Sequence, residues 1–236
     1  MAAHKVEHPR NKHVVFLGCL AALALLLIIG GYVIFSPPKP ACIDLGKYYN
    51  ATLTTSLNSP SYVRENNLAA LLHGRQAFSG VPFEVGGVLQ LSGKNLQEWG
   101  RTEFPEEADG VRVGRKFSEL HLLHGAGGVS DPDGTTIATL VLHYADGSSR
   151  PLELKSGVNV RDWWGNPSQP VTGANSKLAW TGTNPALKQY SHGNTGALRI
   201  YTTTFKNPQP RIRATTIDFK SAMKNSSPFL IALTVQ

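Results

Sequence analysis

Hydrophobic and polar residues alternate with period two over much of the chain beyond residue 43, and turn residues interrupt the pattern at short intervals. This alternation is typical of strands that bury one face in a sheet. It is clearest over residues 137–154, where it continues on both sides of Asp146 and Gly147. We therefore predict a β-hairpin there, with these two residues supplying the positive-φ positions of a tight turn.

A closing strand is predicted at residues 228–236, with Phe229, Ile231, Leu233 and Val235 on one face and smaller residues on the other. Weaker alternation predicts further strands at residues 83–91, 111–116, 117–124, 198–205 and 212–219. In the last of these the parity of the apolar positions slips, which indicates a bulge or a sheet edge.

A short helix is the one exception, predicted at residues 63–72, where Leu68, Leu71 and Leu72 follow two asparagines. Strands that each bury one face need a second sheet to cover them. Glycine and proline are frequent, at 23 and 15 residues, and only 17% of the chain is charged, which favours many strands joined by turns. The predicted fold class is all-β, a two-sheet, jelly-roll-like β-sandwich preceded by one N-terminal transmembrane helix.

The transmembrane helix is predicted at residues 14–35, an apolar run without a charge. As a helix it spans about 33 Å, enough for a hydrocarbon core of about 30 Å. Lys5, Arg10 and Lys12 precede the run, so the positive-inside rule leaves residues 1–13 in the cytoplasm as a basic tail. A cleaved signal peptide is the alternative, but the run exceeds the usual h-region and no A-x-A-like site follows it.

The rest of the chain divides at a proline-rich stretch, which stops the helix and gives a stiff linker over residues 36–42. Residues 43–236 then form one exported domain, in the periplasm or outside the cell. The only cysteines are Cys19 and Cys42, so no disulfide is expected within that domain. A single-pass membrane protein is the predicted organisation.

The net charge of +7 is weak and thinly spread, with 23 Lys and Arg against 16 Asp and Glu. A nucleic-acid binder gathers its basic residues into a patch or stripe, and the closest groupings here are small. Nucleic acid is therefore not an expected partner. The membrane is one, together with an envelope glycan or an envelope protein.

One loop-like run, RDWWGN at residues 161–166, combines aromatic rings with hydrogen-bonding side chains. Sugars are bound by aromatic faces that stack on C–H surfaces while polar groups bond the hydroxyls. The residues predicted to bind carbohydrate are Arg161, Asp162, Trp163, Trp164, Trp180 and Tyr190. The competing interpretation places at least one of the paired tryptophans in the sheet interface, as in many sandwiches.

Metal and catalytic sites find less support. His121 and His124 are three apart, so on a regular strand they point to opposite faces and, without a bulge, cannot share an ion together with His143. Asp131 and Asp133 could hold calcium, but with their proline and glycine they make an ordinary turn equally well. No nucleophile elbow, phosphate-binding loop or H-E-x-x-H motif occurs in the sequence. We predict no metal, no cofactor and no enzymatic activity.

Six short motifs occur in an order that resembles a known module: FSGVPF at 78–83, LHLLHGA at 120–126, YADG at 144–147, DWW at 162–164, LAW at 178–180 and NPQP at 207–210. The module is the galactose-binding-like jelly roll of envelope proteins and sugar-active enzymes of planctomycete and verrucomicrobial bacteria. The resemblance implies a non-catalytic module that binds carbohydrate. Relatives of this shape also serve as structural or protein-contact domains, so that alternative stays open.

Overall fold

A computed structural model describes Met1, residues 39–190 and residues 196–236. The predicted transmembrane helix at 14–35 lies outside these residues. Within the described ranges, no helix is long and apolar enough to cross a membrane.

The described chain is mostly β, as the alternation predicts. Its strands are β1 (Ala41–Ile43), β2 (Gly74–Phe78), β3 (Val81–Val85), β4 (Leu89–Gln90), β5 (Glu107–Arg115), β6 (Glu119–Gly127), β7 (Thr136–Tyr144), β8 (Ser149–Lys155), β9 (Trp164–Gly165), β10 (Ser176–Gly182), β11 (Ala197–Lys206), β12 (Ala214–Ser221) and β13 (Ser227–Val235). Two short helices are α1 (Lys94–Glu98) and α2 (Pro185–Tyr190). Strand β1 begins inside the predicted linker, two residues before the expected domain boundary.

These strands form antiparallel sheets. The large sheet has seven strands in the order β1-β13-β6-β11-β10, with β4 also paired to β13 and β9 to β11. A four-stranded sheet has the order β5-β12-β7-β8, and β2 and β3 form a separate hairpin.

An inner core lies between the large and the four-stranded sheets. Leu122 of β6 and Leu233 of β13 belong to the same buried cluster as Leu140 of β7 and Phe219 of β12. Because the two sheets share one apolar core, the architecture is sandwich-like. The sequence prediction of an all-β, sandwich-like fold is confirmed at this level.

A second core covers the opposite face of the large sheet. Leu123 and Ile231, on β6 and β13, pack in one cluster with Leu57 from the loop before β2, Phe83 of β3 and Leu96 of α1. The long loop, the β2–β3 hairpin and the helices therefore form an outer layer. The sequence analysis did not predict this layer.

Burial on both faces changes the prediction for the closing strand. Every residue of β13 is buried, and its pairing with β6 shifts register between Leu230 and Ala232. The extra residue, Ile231, moves the later side chains to the other face, so Phe229 contacts the outer core and Leu233 the inner core. The expectation that both share one face is wrong for that reason.

The β7–β8 hairpin is confirmed, with a different turn. Gly147 has a φ of 84°, and no positive φ occurs at Asp146. The Gly147 amide donates to the Tyr144 carbonyl at 3.0 Å, and the Tyr144 amide donates to the Ser148 carbonyl at 2.9 Å. This is a type I turn closed by a glycine bulge, which needs only one positive-φ residue.

Two other predictions are changed. The expected strand at 83–91 is split into β3, which pairs with β2, and β4, which pairs with β13; the Tyr49 ring packs on Gly86 and Gly87 between them. In contrast, the predicted bulge at 212–219 is confirmed, since β12 shifts register in its pairing with β5 and with β7.

The predicted helix at 63–72 is wrong; the segment consists of turns. The Asn66 side chain donates to the Leu57 carbonyl at 2.7 Å, and the Asn67 carboxamide accepts the Ala69 amide at 3.2 Å. Asparagine side chains that bond nearby backbone compete with helical hydrogen bonds. Leu68 and Leu71 are buried without a helix, while Leu72 is exposed.

A buried histidine, His124, takes part in a series of side-chain hydrogen bonds that runs across neighbouring strands of the large sheet. His124 Nε2 lies 2.8 Å from Thr203 Oγ1, which lies 2.9 Å from Ser176 Oγ, and Asn159 donates to the same Ser176 oxygen. Burial lowers the pKa of His124 from 6.5 to about 3. The folded protein therefore holds this imidazole neutral.

We expect the His124→Gln variant to weaken the dependence of stability on acid pH. The unfolded chain binds a proton at His124 below pH 6.5 and the folded chain only near pH 3. Between these values the free energy of unfolding falls as pH falls, by at most about 1.4 kcal/mol per pH unit. Urea unfolding at several pH values, compared between parent and variant, measures the difference.

Thr203→Val is the control, because it removes the hydrogen-bond partner and keeps the imidazole. It should lose about 1 kcal/mol at neutral pH and retain the parent's pH slope. Identical acid profiles for the parent and His124→Gln would contradict the assignment.

Candidate functional site

A cavity of about 410 Å³ lies where the long loop, α1, the segment before β9 and the end of α2 meet. Its volume falls within the range of about 300–1,000 Å³ found for small-molecule sites. The loop contributes Asn58, Ser59, Pro60, Val63 and Asn66. The other lining residues are Trp99, Gly128, Asp162, Trp163, Trp164 and Tyr190. We refer to this site as the aromatic cavity.

Arg101 holds the loop side of the aromatic cavity in place. Its guanidinium donates to the carbonyls of Ser59 at 2.9 Å and Ser56 at 3.0 Å, pairs with Glu103, and lies 5.0 Å from the centre of the Phe104 ring. Only 8% of Arg101 is exposed. A buried guanidinium that bonds two carbonyls of one loop fixes the path of that loop.

Asn58 takes a conformation that few residues adopt, with a φ of 46°. Asparagine tolerates the left-handed region better than most residues. Its side chain passes so close to Gly127 that a Cβ at Gly127 would lie 2.3 Å from the Asn58 Cβ. The Asn58 amide donates to Gln90 Oε1 at 2.8 Å, so its position is set by both contacts.

Two buried polar atoms at this wall have no partner in the described part of the chain. They are Asn58 Oδ1 and Ser59 Oγ, on residues that are each only 5% exposed. An unsatisfied buried polar group costs about 1–3 kcal/mol. Both atoms are closed off from solvent, so they add a cost to the folding of this wall and make no direct contact with the cavity space.

Asp162 lies in the wall with both carboxylate oxygens on backbone amides. Oδ2 accepts from the Val129 amide at 2.8 Å and Oδ1 from the Trp164 amide at 2.7 Å. Burial raises the pKa of Asp162 to about 6, although these amides and the nearby Arg199 oppose the rise. At neutral pH the group is mostly ionised.

The paired tryptophans have different roles. Trp163 is 1% exposed and packs edge-on against Phe229, with ring centres 5.6 Å apart. Trp164 is half-buried, and its Nε1 donates to Asn66 Oδ1 at 2.9 Å. Trp163 therefore anchors the segment in the outer core, while Trp164 is fixed by a polar bond at the cavity wall.

The other two rings come from the ends of the short helices. Trp99 follows α1 directly and is half-buried; Asn95 of that helix donates to the Gly128 carbonyl at 3.0 Å. Tyr190 ends α2 and is 38% exposed. Asn184 caps α2 by accepting the Leu187 amide and also donates to Asn66 Oδ1 at 3.1 Å. Both helices are therefore tied to the elements that line the cavity.

Comparison with known proteins gives no identity. No family model, no curated protein and no solved structure matches this chain. The function is therefore inferred from the site alone and from the motifs in the sequence.

Four of the six predicted binding residues line the aromatic cavity: Asp162, Trp163, Trp164 and Tyr190. Arg161 does not line it; its guanidinium bonds the Asp133 carboxylate at 3.1 and 3.3 Å and the Pro170 carbonyl. Trp180 also lies elsewhere, partly buried against the outer core beside Gly182. The structure thus separates these two residues from the others.

Sequence reasoning missed the loop side of the cavity and Trp99. Asn58, Ser59 and Asn66 belong to a stretch without periodicity, and nothing local shows that it folds back onto the segment around residue 162. Trp99 gave one usable signal, since it is one of only four tryptophans in the chain.

The residues considered above as metal ligands make ordinary structural contacts with other protein groups. His143 lies 2.8 Å from Asp218, and Asp131 accepts the Ser226 amide at 2.9 Å. In residues 39–190 and 196–236, no cluster of His, Cys, Asp and Glu is arranged to hold a metal ion.

Substitution of the paired tryptophans should separate their roles. We expect Trp163→Ala to lower the free energy of unfolding by about 3–5 kcal/mol, because it empties a closed core position. Trp164→Phe keeps a ring and loses one hydrogen bond, so about 1 kcal/mol is expected. Urea unfolding of both variants measures this, and equal losses would contradict the division.

Proposed function

We propose that this chain is a membrane-anchored, extracytoplasmic and non-catalytic module that binds carbohydrate of the cell envelope in the aromatic cavity. The observation that carries the proposal is the combination of aromatic rings and polar side chains in the lining of one cavity. Trp99, Trp164 and Tyr190 supply rings, and Asn58, Asn66 and Asp162 supply polar side chains.

Carbohydrates need both kinds of group at once. Each ring of a sugar has C–H faces that pack on aromatic side chains and hydroxyls around its rim that require hydrogen bonds. A cavity lined only by apolar groups would leave those hydroxyls unpaired, at the cost that burial of polar groups carries. The lining of the aromatic cavity contains both aromatic and polar residues.

The sequence supports the rest of the proposal. The motifs that resemble the galactose-binding-like jelly-roll module imply a carbohydrate-binding unit, and the apolar run at 14–35 with its basic flank favours an anchor with the domain outside the cytoplasm. A membrane-tethered module in that position would meet envelope glycans directly.

A structural or protein-contact domain of the envelope is the second candidate. Two large hydrophobic side chains favour it, Tyr62 at 74% and Leu72 at 69% exposure, both in the loop that lines the cavity. Exposed apolar groups close together mark contact surfaces when they form a patch. Purification of a stoichiometric protein partner, with flat titrations against oligosaccharides, would favour this candidate.

Binding should depend on the half-buried rings of the cavity. We expect the full chain in detergent to bind at least one envelope-type oligosaccharide on a glycan array and in calorimetric titrations. Trp99→Ala and Trp164→Ala should each weaken that binding about tenfold, because a stacked ring contributes about 0.5–1.5 kcal/mol beyond its buried area.

Trp180→Ala is the matched control, since it removes a partly buried tryptophan that does not line the cavity. It should leave affinity unchanged. Equal losses in all three variants, or no oligosaccharide binding by the parent chain, would refute the proposed site.

The anchor has its own test. We expect the full chain to sediment with membranes and to require detergent for release, because a 22-residue apolar run spans the bilayer. Cysteine-labelling reagents that do not cross membranes should reach a cysteine placed at an exposed position such as Tyr62. Recovery in the soluble fraction, or labelling only from the cytoplasmic side, would contradict the proposed topology.

A further inference from the structure

A second cavity, of about 590 Å³, lies between β1 with the turn that follows it and strands β5 and β12. Three of its lining side chains are cationic and exposed: Lys47, Arg112 and Arg115. Among the described lining residues Asp44 is the one carboxylate, and its Oδ1 already accepts the Gly46 amide at 2.8 Å. The lining therefore has an excess of positive charge, and we refer to this cavity as the basic groove.

The three cations have no ionic partner within residues 39–190 and 196–236. None of them forms a salt bridge with a described carboxylate. By contrast, Lys220 on the same four-stranded sheet pairs with Glu107 at 2.7 Å and with Asp109 at 3.1 Å. A guanidinium binds phosphate through two parallel hydrogen bonds, and an ammonium group binds it as a point charge. An unpaired set of this kind is complementary to phosphate groups.

One hydrogen bond between distant residues holds the groove in shape. The Tyr48 hydroxyl donates to the Gly110 carbonyl at 2.7 Å, and the Tyr48 ring packs against the inner core. Lys47 directly precedes Tyr48, so its turn is fixed against β5. Residues that lie far apart in the sequence thus carry their charges into one space.

A bulge in β5 explains why both arginines line the same groove. Residues three apart on a regular strand point to opposite faces. Arg115 pairs with Ala214 and Arg112 with Thr216, so three steps along β5 lie opposite two along β12. Gly114 supplies the positive φ, at 67°. The extra residue changes the parity of the strand and brings Arg115 to the groove that Arg112 lines.

The basic groove also lies close to the proposed anchor along the chain. The apolar run ends at residue 35, and Cys42 already lines the groove. An extended chain over that distance reaches at most about 25 Å. Lys39, within the same stretch, is exposed and adds a further cation. The tether therefore keeps the groove within reach of lipid headgroups.

We propose that the face of the exported domain around the basic groove docks on anionic lipid headgroups of the membrane, with Lys47, Arg112 and Arg115 against their phosphates. The proposal rests on the membrane anchor of the proposed function and adds a contact surface to it. Each basic residue near an anionic surface favours docking about fivefold. Docking holds the domain, with its aromatic cavity, in one orientation relative to the bilayer.

Energy transfer from tryptophan to a dansyl-labelled lipid measures this docking on the full chain. All four tryptophans lie beyond residue 98, and the basic tail at 1–13 contains none. The chain is reconstituted into vesicles of phosphatidylcholine alone or of phosphatidylcholine with phosphatidylglycerol, each with a trace of dansyl-labelled phosphatidylethanolamine. We expect higher transfer in the anionic vesicles. At about 1 M salt, where the Debye length is about 3 Å, transfer should fall to the value of the neutral vesicles.

Two double variants assign the effect to the basic groove. Arg112→Gln with Arg115→Gln should lower transfer in anionic vesicles to the neutral value, because loss of two cations weakens docking about 25-fold. Arg64→Gln with Arg75→Gln is the matched control, since it makes the same change of charge at exposed arginines that do not line the groove. It should keep the full dependence on lipid charge.

The outcomes separate docking from the anchor. Equal transfer from the parent chain in both kinds of vesicle overturns lipid docking, and the anchor stands if neutral vesicles retain the chain through a high-salt wash. Release by that wash refutes the anchor itself. Equal losses in both double variants would show attraction through net charge alone and would overturn the role of the groove.

An acidic glycan is the other occupant that the same charges could attract, and the probe for it is oligogalacturonate. If oligogalacturonate binds the parent chain and not the Arg112→Gln, Arg115→Gln variant, while lipid charge has no effect on transfer, lipid docking is overturned. None of these outcomes depends on carbohydrate binding in the aromatic cavity.

Discussion

The fold depends on one constraint: the large sheet is buried on both faces. Strand β13, which lies between β1 and β6, exposes no side chain to solvent, and a bulge at Ile231 distributes its large residues between the inner and outer cores. An apolar strand of this kind needs cover on two sides. The four-stranded sheet supplies one cover, and loops, a hairpin and two short helices supply the other.

The aromatic cavity lies within that second cover, where the long loop, α1, the segment before β9 and the end of α2 meet. Trp163 fills the core below it against Phe229, whereas Trp164, one residue later, is directed to Asn66 at its wall. Of these two adjacent tryptophans, Trp163 therefore stabilises the outer core and Trp164 helps to shape the cavity wall.

The polar side chains of the site are held by hydrogen bonds between residues that lie far apart in the sequence. Arg101 fixes the loop around Ser59, Asn184 and Trp164 converge on Asn66, and the backbone amide of Val129 holds Asp162. Each bond joins segments that lie far apart in sequence. A site built in this way is ordered only when the outer layer has folded.

The sequence by itself determined the strands whose alternation follows a single buried face, such as the β7–β8 hairpin, and it identified Asp162, Trp164 and Tyr190 by residue type. Only the tertiary structure decided the outer layer and the separation of Arg161 and Trp180 from the cavity. It also showed that residues 63–72 form turns instead of the predicted helix, because asparagine side chains there bond to the backbone. Periodicity reports which face of an element is buried. It carries no information about which distant loop provides the cover, because that depends on contacts between residues with no local signature.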